Sequence, residues 1–320
     1  MDPPDLTPNV LYRGLVRSAL SSSPDSGAAQ DALIQLAKDE AQEALDLVWE
    51  SLKPSNHSGS SDIPARNQVL QLATKLNLKH KILPSSFFIG DVVLSSTEPV
   101  GEGAFAHVYR GTYNGVEVAV KKIRAPSAEQ GLTADDATCR EALLWKDIEH
   151  PHILPLIGVT RTAFSSGALC LVSPWMPQGN VRATLSSHGD QPAVTTESVG
   201  EIIDEWLYQI AQGLEYLHSQ GVVHGDLHGA NVLLDDRDRM RLSDFGLSLI
   251  ANAPSYEHGS LHGGGAVCWR APELIDPDGF QQSGRRPTFA SDVWSFGMLC
   301  IEFYLGGKPP YSESWSAYQI

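Results

Sequence analysis

The sequence predicts an α+β fold built in two parts, a β-rich segment that carries one helix and then a helix-rich segment. Three observations lead there. Between about residues 89 and 175, apolar and polar residues alternate in short runs broken by glycine turns. From about residue 176, apolar residues recur instead at helical spacing. Ahead of both lies an amphipathic helical stretch interrupted by a Ser/Gly-rich linker.

At 320 residues the chain is long enough for a two-part domain with an appendage. Its formal charge of −15 is spread along the chain rather than gathered in a tail. That argues against nucleic acid or an anionic membrane as the main partner. Four cysteines, Cys139, Cys170, Cys268 and Cys300, lie far apart with no CxxC spacing, as in reduced thiols of an intracellular protein. The first residues show neither a basic region nor an apolar core of a signal peptide, so an intracellular, cytoplasmic location is expected, with the nucleus as the alternative. The most apolar stretch, Val293 to Leu305, is short and contains Glu302, which suits a buried helix and not a membrane span.

Residues 1–28, rich in Pro, Ser and Asp without a clear period, are expected to be a mobile tail. Residues 29–88 read as a helical extension. Leu33, Leu36, Ala41, Ala44, Leu45 and Val48 recur at helical intervals in one helix over 29–53. A Ser/Gly linker follows, and Pro64 then suits the first turn of a second helix bearing Val69, Leu70, Ala73 and Leu76. Such a hairpin buries little alone, so it is expected to dock on the next domain or on a partner, most simply as a structural extension.

The β segment, 89–175, begins with a strand over Asp91–Leu94. Val100 to Gly111 reads as strand, glycine turn, strand, and Val116 to Ile123 alternates to a basic pair. Asn114-Gly115 between them is a hairpin turn signal. A helix is expected from Ala134 to Ile148, then strand-like runs at Ile153–Val159 and Ala168–Val172. In the helical segment, 176–320, helices are expected at about Asn180–Ser186, at Thr196–Ser219, and at about Ala290–Leu305.

The chemistry concentrates in Val222 to Leu234, where two apolar runs bracket a polar loop holding Asp226 and Asn231. A short turn later comes Asp244 in Leu242-Ser243-Asp244-Phe245-Gly246, before a glycine that permits a sharp turn. A lone base with two metal-binding oxygens suits phosphoryl transfer, which needs Mg²⁺ held on a nucleotide and a base that orients a hydroxyl. Each residue alone is more simply a loop carboxylate or amide capping a turn. His224 and His228, four apart, raise a zinc site as an alternative. The glycines around them make the loop non-helical, so that spacing does not place both on one face.

Taken together, Gly101-Glu102-Gly103, Val118-Ala119-Val120-Lys121, Glu141, His224-Gly225-Asp226, Asn231, Asp244-Phe245-Gly246, Ala271-Pro272-Glu273 and Asp292-Val293-Trp294-Ser295-Phe296-Gly297 resemble, in order and spacing, the motifs of eukaryotic protein kinases. The resemblance covers the chain from about Phe88 onward. It is closest to the tyrosine-kinase-like branch and its fungal members, which mostly phosphorylate Ser and Thr.

The resemblance implies a two-lobed kinase fold and ATP and Mg²⁺ as cofactors. Asp226 would be the catalytic base, Lys121 the phosphate-binding lysine, Glu141 its ion-pair partner, and Asn231 and Asp244 the metal ligands. An exposed Lys121–Glu141 pair would add only ~0–1 kcal/mol, so its use would be positional. Gly101 and Gly103 would admit phosphates beneath Phe105, with Ala106 standing where the family has a third glycine. Ser173, Pro174 and Met176 would form the hinge, Ser173 being the small gatekeeper and the Pro174 carbonyl an acceptor for adenine. Val108, Ala119 and Leu233 complete the implied nucleotide site, and His224 becomes a packing residue beneath Phe245.

Three departures from the pattern matter. Gly225 replaces the arginine that usually grips a phosphate on the activation loop, so activity independent of phosphorylation at Ser255, Tyr256 or Ser260 is expected. His228 replaces the lysine typical of Ser/Thr kinases. The segment after the helix at Ala290–Leu305 stops short of the three further helices the family carries, one of which pairs an arginine with Glu273. A buried, unpaired Glu273 would cost about 3–5 kcal/mol. The expected function is a protein kinase acting on Ser/Thr hydroxyls of protein substrates. The alternative is a pseudokinase or scaffold without transfer, with the N-terminal helices available to a partner. A small-molecule phosphotransferase is disfavoured by the peptide-shaping segment Gly265–Glu273.

Overall fold

A computed structural model describes residues 8–21, 24–52, 63–103, 106–124, 133–188, 196–246, 248–250, 266–282 and 284–311. The N-terminal part is a four-helix extension: α1 (Pro8–Ala19), α2 (Ser26–Ile34), α3 (Lys38–Glu50) and α4 (Ile63–His80). The tail expected over residues 1–28 is therefore corrected from Pro8 onward. Tyr12, Val16 and Ala19, at helical spacing, bury a narrow stripe of α1, too narrow to stand out among polar neighbours. The single helix expected over 29–53 is two. The chain breaks after Ile34, and α3 restarts where Glu40 accepts a hydrogen bond from the Ala37 N–H at 3.1 Å, capping the new first turn.

The β-rich lobe is a six-stranded antiparallel sheet ordered β1-β3-β4-β6-β5, with β2 paired to β3. Its strands are β1 (Val93–Leu94), β2 (Gly101–Glu102), β3 (Ala106–Tyr113), β4 (Val116–Ile123), β5 (Gly158–Thr160) and β6 (Cys170–Pro174). Asn114 (φ +50°) and Gly115 (φ +78°) make the β3–β4 turn, two successive left-handed residues as a type I′ hairpin requires. The strand expected over Asp91–Leu94 is shorter, because Asp91 takes φ +55° and turns the chain before Val93. The run expected over Ile153–Val159 is mostly loop, and only Gly158 and Val159 enter β5. α5 (Ala134–Trp145) opens on a reciprocal cap in which the Thr133 hydroxyl accepts from the Asp136 N–H and Asp136 accepts from the Thr133 N–H.

The helical lobe contains α6 (Val181–His188), α7 (Thr196–Ser219), α8 (Pro272–Ile275) and α9 (Phe289–Tyr304). Two small antiparallel sheets lie beneath the cleft, pairing β7 (Val222–Val223) with β10 (Leu249–Ile250) and β8 (Val232–Leu234) with β9 (Met240–Leu242). One continuous core runs from Val16 and Leu45 in the extension through Leu143 in α5 to Leu214, Leu242 and Phe303 in the helical lobe. The extension is thus packed into the body of the molecule. Among the described residues, no helix is long and apolar enough to cross a membrane. Glu273 is half-buried, so the cost expected for a fully buried carboxylate there does not apply.

Candidate active site

β4 delivers Lys121 beneath α5. Its Nζ lies 2.8 Å from Glu141 Oε1 and 2.8 Å from Asp244 Oδ1. Glu141 is 1% exposed and the Lys121 side chain 17% exposed. This pair is therefore buried, not exposed as the sequence reading supposed. Burial pushes the Glu141 carboxyl up, and Lys121 offsets this only partly. Burial alone would depress Lys121, but Asp244 and then Glu141 overcome it and hold the ammonium above the ordinary lysine range. Asp244 shows the reverse balance: burial works against its charge, and Lys121 keeps it below the usual carboxylate range. Removing one member of such a group costs about 3–5 kcal/mol, because it strands the others.

Asp244 takes φ +64°. The left-handed residue of this turn is the aspartate itself and not Gly246, contrary to the sequence reading; aspartate is among the few residues that tolerate that region. Gly246 matters for space instead. A Cβ there would stand 3.2 Å from Asp244 Oδ1 and 3.4 Å from Glu141 Oε2. The 42%-exposed Asp244 side chain keeps oxygen surface free while Oδ1 holds Lys121.

Asp226 leaves β7 in a loop that ends in the 3₁₀ turn Gly229–Asn231. Asn231 Nδ2 donates to the Asp226 carbonyl at 2.9 Å and to Asp226 Oδ2 at 3.2 Å, which leaves the amide oxygen for a ligand. The Ser243 N–H and hydroxyl both donate to the Asn231 carbonyl, at 2.9 and 3.0 Å. The residue before Asp244 is thereby tied to the loop of Asp226. The carboxylate and amide oxygens of Asp244 and Asn231 form a hard donor set that fits Mg²⁺.

His224 is fully buried, with its ring 5.6 Å from that of Phe245. Its Nδ1 accepts from the Asp226 N–H and its Nε2 donates to the Ser243 carbonyl. Both ring nitrogens are thus committed to the backbone, which is at odds with the zinc alternative. Phe245 in turn stacks on Trp145 of α5 at 5.4 Å. His228 stands beside Asp226, its Nε2 3.6 Å from Asp226 Oδ2.

In the sheet, Ala119 pairs with Ser173 and Val118 with Pro174, while Gly101 pairs with Val108. Ser173 is buried, and Val108, Ala119, Pro174, Met176 and Leu233 are half-buried. Along β4, Ala119 alternates with the fully buried Val118 and Val120, so its face differs from theirs. Leu233 bridges to Asn180, past Met176 on the segment after β6. Gly103 donates to the Ala106 carbonyl at 2.9 Å, closing the turn after β2. Phe105, Gly265 and the three activation-loop positions Ser255, Tyr256 and Ser260 lie outside the described residues.

Two buried carboxylates on α9 hold the loop of Asp226. Asp292 accepts the N–H groups of His224 at 2.8 Å and Gly225 at 2.9 Å, with His218 Nε2 at 2.9 Å. Gly225 has φ +82°, where a glycine carries no strain. Glu302, wholly buried, accepts from Arg182 Nε at 2.7 Å, from the Gly229 N–H at 2.8 Å and from Trp269 Nε1 at 2.8 Å. Sequence reading missed this role. The available signal was a glutamate inside an apolar helix, since a charge so placed needs buried partners.

Comparison with known proteins accords with this geometry. The sequence profile described as "Protein tyrosine and serine/threonine kinase" matches residues 94–320. The chain is 34% identical to Cell division control protein 7 of Schizosaccharomyces pombe over 73% of this chain and 19% of that protein. It is 31% identical to Mitogen-activated protein kinase kinase kinase 3 of Arabidopsis thaliana, over 69% of this chain and 32% of that protein. It is 33% identical to Tyrosine-protein kinase csk-1 of Caenorhabditis elegans, over 71% and 39% respectively. The chain spans well under half the length of each of these relatives, and the α1–α4 extension falls outside the profile match.

Proposed function

Since the chain belongs to the protein tyrosine and serine/threonine kinase family and resembles its tyrosine-kinase-like branch, we propose that it transfers the γ-phosphoryl group of ATP to Ser or Thr hydroxyls of protein substrates. The observation that carries this reading is the Lys121–Glu141–Asp244 cluster, with both contacts at 2.8 Å, joined through Ser243 to Asn231 and Asp226. Asn231 and Asp244 would hold Mg²⁺, which when bound neutralises charge on the phosphates. Lys121, fixed by Glu141, supplies a point charge to the phosphates. Asp226 orients the acceptor hydroxyl and takes its proton, while Asn231 holds Oδ2 of that carboxylate. Val108, Ala119 and Leu233 pack the base of the nucleotide, and the backbone of Pro174 and Met176 meets its polar edge.

Gly225 has no side chain to grip an activation-loop phosphate, which supports activity without that modification. A Ser/Thr acceptor is favoured by the branch the sequence resembles, although relatives of both specificities match. Transfer of labelled phosphate from ATP to a generic basic protein, with Mg²⁺, tests the reading. Asp226→Asn is expected to lower transfer by at least ~10²-fold while leaving intact the rise in melting temperature caused by Mg·ATP. A wild-type chain stabilised by Mg·ATP without transfer would instead be a nucleotide-binding scaffold.

A further inference from the structure

Among the described residues, side chains of the extension outside the family match bond to the ends of α5 and to the turn after α7 at three points. Lys81, the residue just past α4, takes φ +56°, and its Nζ lies 2.6 Å from Asp136 Oδ1. Asp136 caps the first turn of α5. At the start of α4, Arg66 Nε donates to Asp147 Oδ2 at 3.2 Å, two residues beyond α5. The same side chain, 5% exposed, sends Nη1 to the Gln220 carbonyl at 3.2 Å, in the turn between α7 and β7. Thus α4 holds α5 at both ends and ties it to the helical lobe. Glu141 and Trp145, which meet Lys121 and Phe245, lie between the two grips.

Fold stability alone does not account for these choices. The residue after a helix commonly takes a left-handed φ, and glycine suits it without strain. A lysine there is held by the Asn77 carbonyl at its own N–H, while Asn77 Nδ2 donates to the Ile82 carbonyl at 2.8 Å. The strained position aims the side chain at α5. Arg66 is buried with Nη2 unpartnered among the described residues, a cost accepted where the other two bonds join separate elements.

We propose that Lys81 and Arg66 are positioning residues for phosphoryl transfer: they fix α5 against the extension so that Glu141 stays on Lys121. The extension then acts as an internal activator of the site. This rests on the kinase reading above.

The test uses the full chain with Lys81→Ala, Arg66→Met and the pair combined, Lys81→Arg as the conservative rescue, and Val16→Ala as the control. Val16 is buried in α1, which packs on α2 and α3. Steady-state kinetics in ATP, thermal melts and amide hydrogen exchange across residues 137–146 are read together. Both single variants are expected to lower kcat/KM for ATP by about tenfold, with faster exchange in α5. Lys81→Arg should return kcat/KM to within about twofold of wild type. Val16→Ala should lower the melting temperature with kcat/KM unchanged.

Wild-type kcat/KM in the combined variant overturns the proposal. So does an equal loss in Val16→Ala at a matched drop in melting temperature, because the extension would then serve only stability. If the wild-type chain neither transfers phosphate nor binds Mg·ATP, the kinase reading fails, and hydrogen exchange alone decides. Unchanged exchange in α5 then overturns the clamp, and selectively faster exchange there supports it.

Discussion

The loop of Asp226 and α5 carry the two halves of the candidate site and are held by opposite means. The loop hangs by its backbone from two carboxylates on α9, Asp292 at 1% exposure and Glu302 at 0%, which accept the N–H groups of His224, Gly225 and Gly229. α5 is tied to the extension by side chains near its two ends. Of those, Lys81 is 54% exposed and Asp147 36% exposed, while their partners Asp136 and Arg66 are 7% and 5% exposed. A buried N–H that loses its acceptor finds no substitute, whereas an exposed ammonium finds water. The loop therefore hangs from buried acceptors, whereas each tie to α5 has one member open to water, and α5 is the half whose attachment is easier to loosen.

Asp292→Ala strikes the loop half hardest. It strands two backbone N–H groups and the His218 ring, and the expected loss is about 3–5 kcal/mol. That is a large share of the roughly 5–15 kcal/mol that holds a domain together. Denaturant melts measure it, and a loss below about 1 kcal/mol would erase the contrast between the two halves. Gly229→Ala should follow. Its Cβ would stand 2.5 Å from Glu302 Oε1, so loop or carboxylate must move, at about 1–3 kcal/mol. In a double-mutant cycle with Glu302→Ala, that penalty should be largely relieved, giving a coupling of about 1 kcal/mol or more. Simple additivity would mean that the loop and α9 are not in register at this point.

The sequence made these two halves unequally legible. The alternation of β4, the Asn114-Gly115 turn and the span of α7 follow from local patterns and lie where those patterns put them, whereas the strands expected over Asp91–Leu94 and Ile153–Val159 are shorter. Lys121, Glu141 and Asp244 are far apart in the chain, and a recognisable spacing of motifs, not periodicity, brought them to notice. Glu302 had no such help. Its meaning depends on Arg182 and Trp269, 120 and 33 residues away, and a helical repeat carries no trace of either. The extension failed differently. Among the described residues of α1 the buried stripe is Tyr12, Val16 and Ala19, and its value comes from packing on α2 and α3, which no local window records. The turn at Asp244 was assigned to the wrong residue because glycine is the usual carrier of a positive φ, and a short polar side chain served instead.

The smallest expected effect isolates attachment from charge. Arg110 and Glu117 form an ion pair across β3 and β4, with side chains 44% and 53% exposed, and the Arg110 guanidinium also lies 5.3 Å over the ring of Trp175. Like Lys81–Asp136, it is a pair with an exposed cation in the β-rich lobe. Unlike that pair, it joins two strands already paired along their whole length and does not touch α5. Glu117→Gln should therefore change stability by no more than about 1 kcal/mol and leave kcat/KM for ATP as it is. Should Glu117→Gln slow transfer as much as Lys81→Ala, the slowing would reflect loss of surface charge near the cleft, and α5 would need no grip from the extension. Should it leave transfer untouched while Lys81→Ala slows it, loss of surface charge near the cleft does not explain the slowing. What remains is the attachment of Lys81 to the buried Asp136 of α5, which is 7% exposed where Glu117 is 53% exposed.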